Sequence, residues 1–197
     1  MSADETAFVR YKIDASQSKF IVQAFASGLL AGFGHNPTIA IRNFIGDAQF
    51  MPNSMADASM RLMIRADSFA LLDNVKEKDR HEIERTMFND ILEAGRYPEI
   101  VFESANIALT RVLEGRYKAR IIGDLTLHGV TRNRVWLQAK IILSGDDLQA
   151  QGEFTLKQTD FQIKPVSFAA GTLKLKDELK FIFELVAHRE QSPSAIS

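Results

Sequence analysis

Residues 115–143 read GRYKARIIGDLTLHGVTRNRVWLQAKIIL, two long runs in which apolar and polar positions alternate. On the first run Ala119, Ile121, Leu125 and Leu127 share one face, and Lys118, Arg120, Asp124, Thr126 and His128 share the other. On the second, Val135, Leu137, Ala139, Ile141 and Leu143 oppose Arg134, Gln138 and Lys140. Side chains of a strand alternate sides, so the pattern predicts two strands with one buried face, joined by the short turn His128-Gly129-Val130-Thr131. Both runs exceed the usual strand length. Long, one-sided antiparallel strands lose their exposed edges by closing into a barrel.

The same period recurs along the chain. Residues 8–13 and 18–26 read as short strands, and in the second Phe20 and Val22 compete with Ile21 and Phe25 for the inner face. Residues 38–50 read as one long strand, with a bulge where the alternation slips between Ile41 and Phe44. Residues 58–66 place Met60, Leu62 and Ile64 inward. Three further strands are 99–109 with Phe102, 148–157 with Phe154, and 179–188 with Phe181 and Phe183 inward. In KEKDRHEIERTMFNDILEAG the period changes. Ile83, Met87 and Ile91 repeat every four residues, widened by Phe88 and Leu92, which predicts an amphipathic helix over about 77–94. Gly95 can cap it and Pro98 bars its continuation. Residues 1–7 and the tail REQSPSAIS at 189–197 are expected to be flexible. The fold class is therefore all-β: a single domain over 1–197, core about 9–187, forming an extended antiparallel barrel of about eight strands with one main helix.

Composition narrows the function. Apolar residues are 46% of the chain and charged residues 25%, as in an ordinary soluble domain. The formal net charge of −1 steers the chain neither to nucleic acid nor to an anionic membrane. Without cysteine there is no disulfide, thiolate catalysis or cysteine-bound metal. The start has no basic region followed by an apolar one, and no apolar run is long enough to span a bilayer. The expected location is cytoplasmic, or periplasmic if a leader was removed, without stable membrane insertion. Phe occurs fourteen times against three Tyr and one Trp. Phe has no polar handle, so many of these rings are expected in an apolar interior.

Little in the sequence carries chemistry. His35, His81, His128 and His188 have no partners at metal-binding spacing, and no serine sits in a nucleophile elbow. The glycines of SGLLAGFGHNP do not have the spacing of a phosphate loop. His35 and His128 lie at strand-end turns, where a histidine is solvated, bonds a neighbouring backbone group, or meets the polar end of a ligand at a barrel mouth. His81, beside Asp79 and Glu82, belongs to an acidic first helical turn. What remains is the interior. Inward faces are nearly all apolar, and a barrel of about eight strands either fills with side chains or holds one small ligand.

Several motifs resemble the YceI-like, or polyisoprenoid-binding, family. GDLTLHGVT at 123–131 is the most specific, and RYPEIVFES at 96–104 resembles the family's Tyr-Pro-x-Ile-x-Phe-x-Ser strand. YKIDASQSKF, RNFIGDAQF and KDRHEIERTMFND resemble further family segments, so the likeness runs from about Val9 to Ala187. It implies a lipocalin-like barrel with a central tunnel for an isoprenoid, isoprenoid quinone or fatty-acid-like chain, and no other cofactor. The segment ASGLLAGFGHNPTIAI departs from the family, so no ligand contacts are carried over near 27–37. The expected function is non-catalytic binding, transport or sequestration of such a lipid. Expected ligand contacts are Met60, Leu62, Ile64, Phe102, Ile121, Leu125, Leu137, Ala139, Ile141, Phe154, Phe181 and Phe183, with His128 at the mouth. Alternatives are a histidine-based, metal-dependent enzyme using His35, His128 or His81, and a packed barrel acting as an interaction module. No nucleic acid is expected as a partner, and a homodimer is compatible with the sequence.

Overall fold

The computed structural model describes residues 8–27, 36–52, 57–168 and 173–191. In chain order the strands are β1 (Val9–Ile13), β2 (Lys19–Gln23), β3 (Ala26–Ser27), β4 (Thr38–Ile41), β5 (Phe44–Phe50), β6 (Ser59–Arg65) and β7 (Phe69–Leu71). Helix α1 (Glu77–Thr86) follows and runs into a π-helical turn at Met87–Ile91. Then come β8 (Glu99–Leu113), β9 (Arg116–Leu127), β10 (Val130–Ser144), β11 (Asp147–Lys157), a 3-10 turn (Gln158–Phe161), β12 (Ser167–Phe168), β13 (Leu173–Leu175) and β14 (Glu178–Arg189). The expected flexible ends 1–7 and 192–197, and His35, lie outside the described residues. Arg189, expected in the tail, instead ends β14.

Eight strands close a ring of antiparallel neighbours in the order β1-β5-β6-β8-β9-β10-β11-β14, with β14 pairing back to β1. The barrel is longer than its shorter strands, and kinked strands extend it. The Ala187–Arg189 end of β14 pairs with β1, and its Lys180–Glu184 stretch pairs with β2. Between them the chain turns at Asp14, whose carboxylate accepts the Ser16 N–H at 2.8 Å and the Ser16 hydroxyl at 2.6 Å. The Ser18 hydroxyl donates to the Asp14 carbonyl and accepts the Val186 N–H, so β14 keeps its bonds across the kink. In β2 it is Phe20 and Val22 that are buried.

Residues 38–50 kink in the same way, which corrects the expectation of one bulged strand. β4 pairs with β2 and β7, while β5 pairs with β1 and β6. The break at Arg42 and Asn43 is bridged by backbone bonds to the β6–β7 turn, Arg42 N–H to Ser68 O and Asn43 O from Arg65 N–H. Two neighbouring strands thus bend together, which a one-residue bulge would not do.

Beyond β4, strand β7 is an edge, and α1 covers it. Glu84 accepts the Leu71 N–H at 3.0 Å, and Arg80 donates to the carbonyls of Leu71 and Asp73. Unpaired edge groups are thereby satisfied by helix side chains rather than by another strand. The helix ends in a π turn, where the Leu92 N–H reaches Met87 O. Met87 and Leu92, five residues apart, are both buried, and the wider turn brings them onto one face. The expected cap at Gly95 is corrected. Glu93 takes the left-handed conformation at φ 44°, and Gly95 has no positive φ.

Two apolar clusters fill the interior. The smaller, built on Val9, Tyr11, Phe50, Leu148 and Ala187, plugs the end where β14 finishes, with Tyr11 stacked on Phe50 at 5.7 Å. The larger runs to the other end, beneath α1 and a three-stranded flap of β3, β13 and β12.

Candidate ligand-binding cavity

The larger cluster is not solid. It surrounds a cavity of about 810 Å³, reaching from Leu148 and Ala187 near the plugged end to Pro37, Val166 and Leu175 near the flap. A volume of this size suits one small ligand, within the usual range of about 300–1,000 Å³. Alternation produces the wall directly. Twelve of the thirteen contacts expected from the sequence line it: Met60, Leu62, Ile64, Phe102, Ile121 and Leu125, and equally Leu137, Ala139, Ile141, Phe154, Phe181 and Phe183. Phenylalanine rings stiffen one side. Phe154 stacks on Phe181 at 4.9 Å, and Phe20 meets Phe44, Phe181 and Phe183 edge-on.

Room for these rings comes from glycine. A Cβ on Gly123, in the GDLTLHGVT segment, would stand 2.5 Å from Phe102 Cζ and against the Glu103 carbonyl. A Cβ on Gly152 would similarly strike Phe183 at 2.6 Å.

Polar groups are few and mostly sit toward the flap and α1. Asn74, Thr86, Lys157 and Gln158 line that end with Asp73, whose carboxylate already accepts the Thr38 N–H at 2.8 Å. Gln158 is the one buried polar residue among those described, and its amide donates to Lys176 O at 3.0 Å. Sequence reading passed over this set. The residues lie on turns and at a strand end, and no period marks them.

The wall also parts on one side. β10 and β11 are register partners only from Lys140↔Gln151 to Ser144↔Asp147. Beyond that β10 stays with β9, and β11 with β14. The stretch of β10 without a β11 partner also carries a register shift against β9 between Arg132 and Val135, where Arg134 adopts φ 60° and gives its N–H to Asp124 at 3.2 Å. Val135 and Leu137 on one lip, and Phe154 and Leu156 on the other, belong to the cavity wall.

His128 is the correction. It is not part of the cavity wall. The β9–β10 turn is a two-residue one, with His128 at φ 52° and Gly129 at φ 71°, and β10 starts at Val130 rather than after Thr131. Its ring bridges two other elements, Nε2 lying 3.1 Å from Glu93 Oε1 and Nδ1 3.2 Å from Phe161 O, with Tyr97 packed at 4.7 Å. His81 is exposed on α1, and His188, at the plugged end, contacts Asp147 at 2.8 Å. No group of three metal-binding side chains occurs among the described residues. Among the described residues no helix is long and apolar enough to cross a membrane.

Comparison with known proteins agrees with this geometry. BcnA of Burkholderia cenocepacia superposes with a TM-score of 0.67 at 21% identity, covering 88% of this chain and 98% of that one. A polyisoprenoid binding domain from Saccharophagus degradans gives 0.63 at 15% identity, covering 94% and 99%. A UPF0312 protein of Pseudomonas putida strain W619 is 28% identical over 180 residues, 89% of this chain and 87% of its own. A UPF0312 protein of Vibrio campbellii is 31% identical over 126 residues, and the match spans 61% of each. The YceI-like domain model matches residues 11–187, almost the whole barrel, and the chain belongs to the YceI-like family.

Proposed function

We propose that the protein binds one long apolar chain, an isoprenoid, isoprenoid quinone or fatty-acid-like lipid, and carries or sequesters it without chemical change. The observation that carries this reading is the cavity of about 810 Å³ with its almost wholly apolar wall. Each methylene moved from water into such a wall gains about 0.8 kcal/mol. A tail therefore supplies the affinity without specific head-group chemistry. The likeness to a polyisoprenoid binding domain points to the same ligand class. The polar set at the flap end suits a small head group.

Catalysis draws less support. His128 is tied to Glu93 and Phe161, and His188 sits at the plugged end. Native mass spectrometry of freshly purified protein, followed by organic extraction, tests the proposal. A released long-chain lipid in near-stoichiometric amount is the expected result. Protein that yields no lipid and takes up no fluorescent long-chain probe would overturn it.

A further inference from the structure

On the outer face of β8, β9 and β10, the strand register collects positive charge. Lys118 and Lys140 are direct partners across β9 and β10. Like charges in that position repel, so the pair costs stability unless something else compensates it. Arg120 and Arg116 continue the row on β9, opposite Gln138 and Ile142. On the β8 side Arg120 opposes Ala108, Lys118 opposes Thr110 and Arg116 opposes Leu113, and Lys140 meets Gln151 on β11. None of these four cations forms an ion pair with a carboxylate among the described residues, whereas Arg10, Arg61, Arg65 and Arg132 elsewhere on the barrel each do. Of the carboxylates close by, Glu114 lies in the β8–β9 turn, Asp124 is engaged with the Arg134 N–H, and Glu153 on β11 pairs with Lys180 at 2.8 Å.

The same face is greasy. Trp136 is 58% exposed and Leu113 61% exposed, with Val112 and Ile142 also open to solvent. These are four of the seven large hydrophobic residues exposed among those described. Trp136 opposes Ile122, and Ile142 and Leu113 both neighbour Arg116, so the apolar groups interleave with the cations. Trp136 also stands on the stretch of β10 that has parted from β11.

We propose that this outer face of β8–β10 is a docking surface for an anionic phospholipid membrane. Indole rings prefer the headgroup level of a bilayer, and each Lys or Arg near an anionic surface contributes about 1 kcal/mol. Nucleic acid would use the cations and the indole, but it leaves Leu113, Val112 and Ile142 without a role. The whole chain is near neutral at −1, so the remaining surface carries the compensating negative charge and the molecule is oriented as it approaches. The inference concerns the outer face and does not rest on the cavity's contents.

Trp136 is the chain's single tryptophan and reports on its own burial. The full chain is mixed with vesicles of phosphatidylcholine alone, or of phosphatidylcholine with phosphatidylglycerol, and followed by co-sedimentation and by Trp136 emission. The expected result is binding to the anionic vesicles only, weakened by salt, with a blue shift of the emission. Lys118→Gln with Lys140→Gln should weaken it by roughly tenfold or more. Lys12→Gln with Lys19→Gln, the same charge change on another face, should not. Thermal unfolding confirms that each variant is folded. Ala139→Phe, which occupies cavity space without a second indole, should leave docking intact and so separates docking from tail binding. Absence of vesicle binding, an unshifted emission on binding, equal effects of the two lysine pairs, or tighter binding of a single-stranded oligonucleotide than of anionic vesicles would each overturn the proposal.

Discussion

Ala139 shows how a single side chain reports on the interior. It is buried on β10 opposite Ala119, and its methyl group faces the cavity. In a filled core Ala139→Trp would overpack and cost roughly 1–3 kcal/mol. Here the indole has space, so the denaturant midpoint of lipid-free protein should change little, while binding of a long-chain probe is lost. Gln149→Trp, outward and exposed on β11, serves as the control and should alter neither. Loss of stability with probe binding intact would contradict the tunnel. Gly123 gives the opposite expectation. Gly123→Ala sets a methyl against the Phe102 ring and the Glu103 carbonyl, and neither can retreat without moving β8. A loss of about 1–3 kcal/mol of unfolding free energy is expected, read as a lowered midpoint in urea.

Among the elements, the β1–β2 kink and the α1 cover each have a titratable or charged group at the joint. Hydrogen bonds from Ser16 and then Gln17 hold the Asp14 carboxyl down to about 2, from an ordinary value of 3.8. A depressed carboxylate stabilises the fold above its unfolded pKa, and that contribution fades as pH falls from about 3.8 through about 2. NMR titration should place the Asp14 midpoint in that low range, and Ser16→Ala should raise it. A midpoint unchanged by Ser16→Ala would mean that the turn does not depend on this bond. For α1, Arg80→Ala removes the donors to the carbonyls of Leu71, at the end of β7, and of Asp73 just beyond it. The expected loss is about 1–2 kcal/mol, with faster hydrogen exchange at β7 and little change in β9 or β14.

At the scale of the whole molecule, the barrel has two unlike ends and one parted side. One end is plugged by a stacked Tyr11–Phe50 pair, and the other is roofed by α1 and the small flap. A ligand that binds only the folded state raises stability by mass action, about 2.7 kcal/mol at a hundredfold excess over its Kd. Delipidated protein should therefore melt at a lower temperature than protein as purified, and added long-chain lipid should restore the difference. A melting temperature insensitive to extraction and to added lipid would argue against a ligand in the cavity.

Alternation alone determined the long strands, most of their inward positions and the barrel, because a period of two assigns every second side chain to one face wherever one face is buried; the short strands β7, β12 and β13 escaped it. Alternation thus placed Leu62, Leu137 and Phe183 on the cavity wall before any contact was known. The helix was legible for the same reason, with a different period. Tertiary structure alone decided the kinks at Asp14 and at Arg42–Asn43, since both arise from bonds to distant strands, Val186 in one case and Ser68 and Arg65 in the other. It also decided where His128 points, because Glu93 and Phe161 are more than thirty residues away in sequence. That the inward residues enclose space rather than fill it depends on how wide the closed ring stands, a property of all eight strands together. The cationic outer face was hidden in the same way. Lys118 and Lys140 belong to an unremarkable alternation on each strand, and only the register between β9 and β10 sets them side by side.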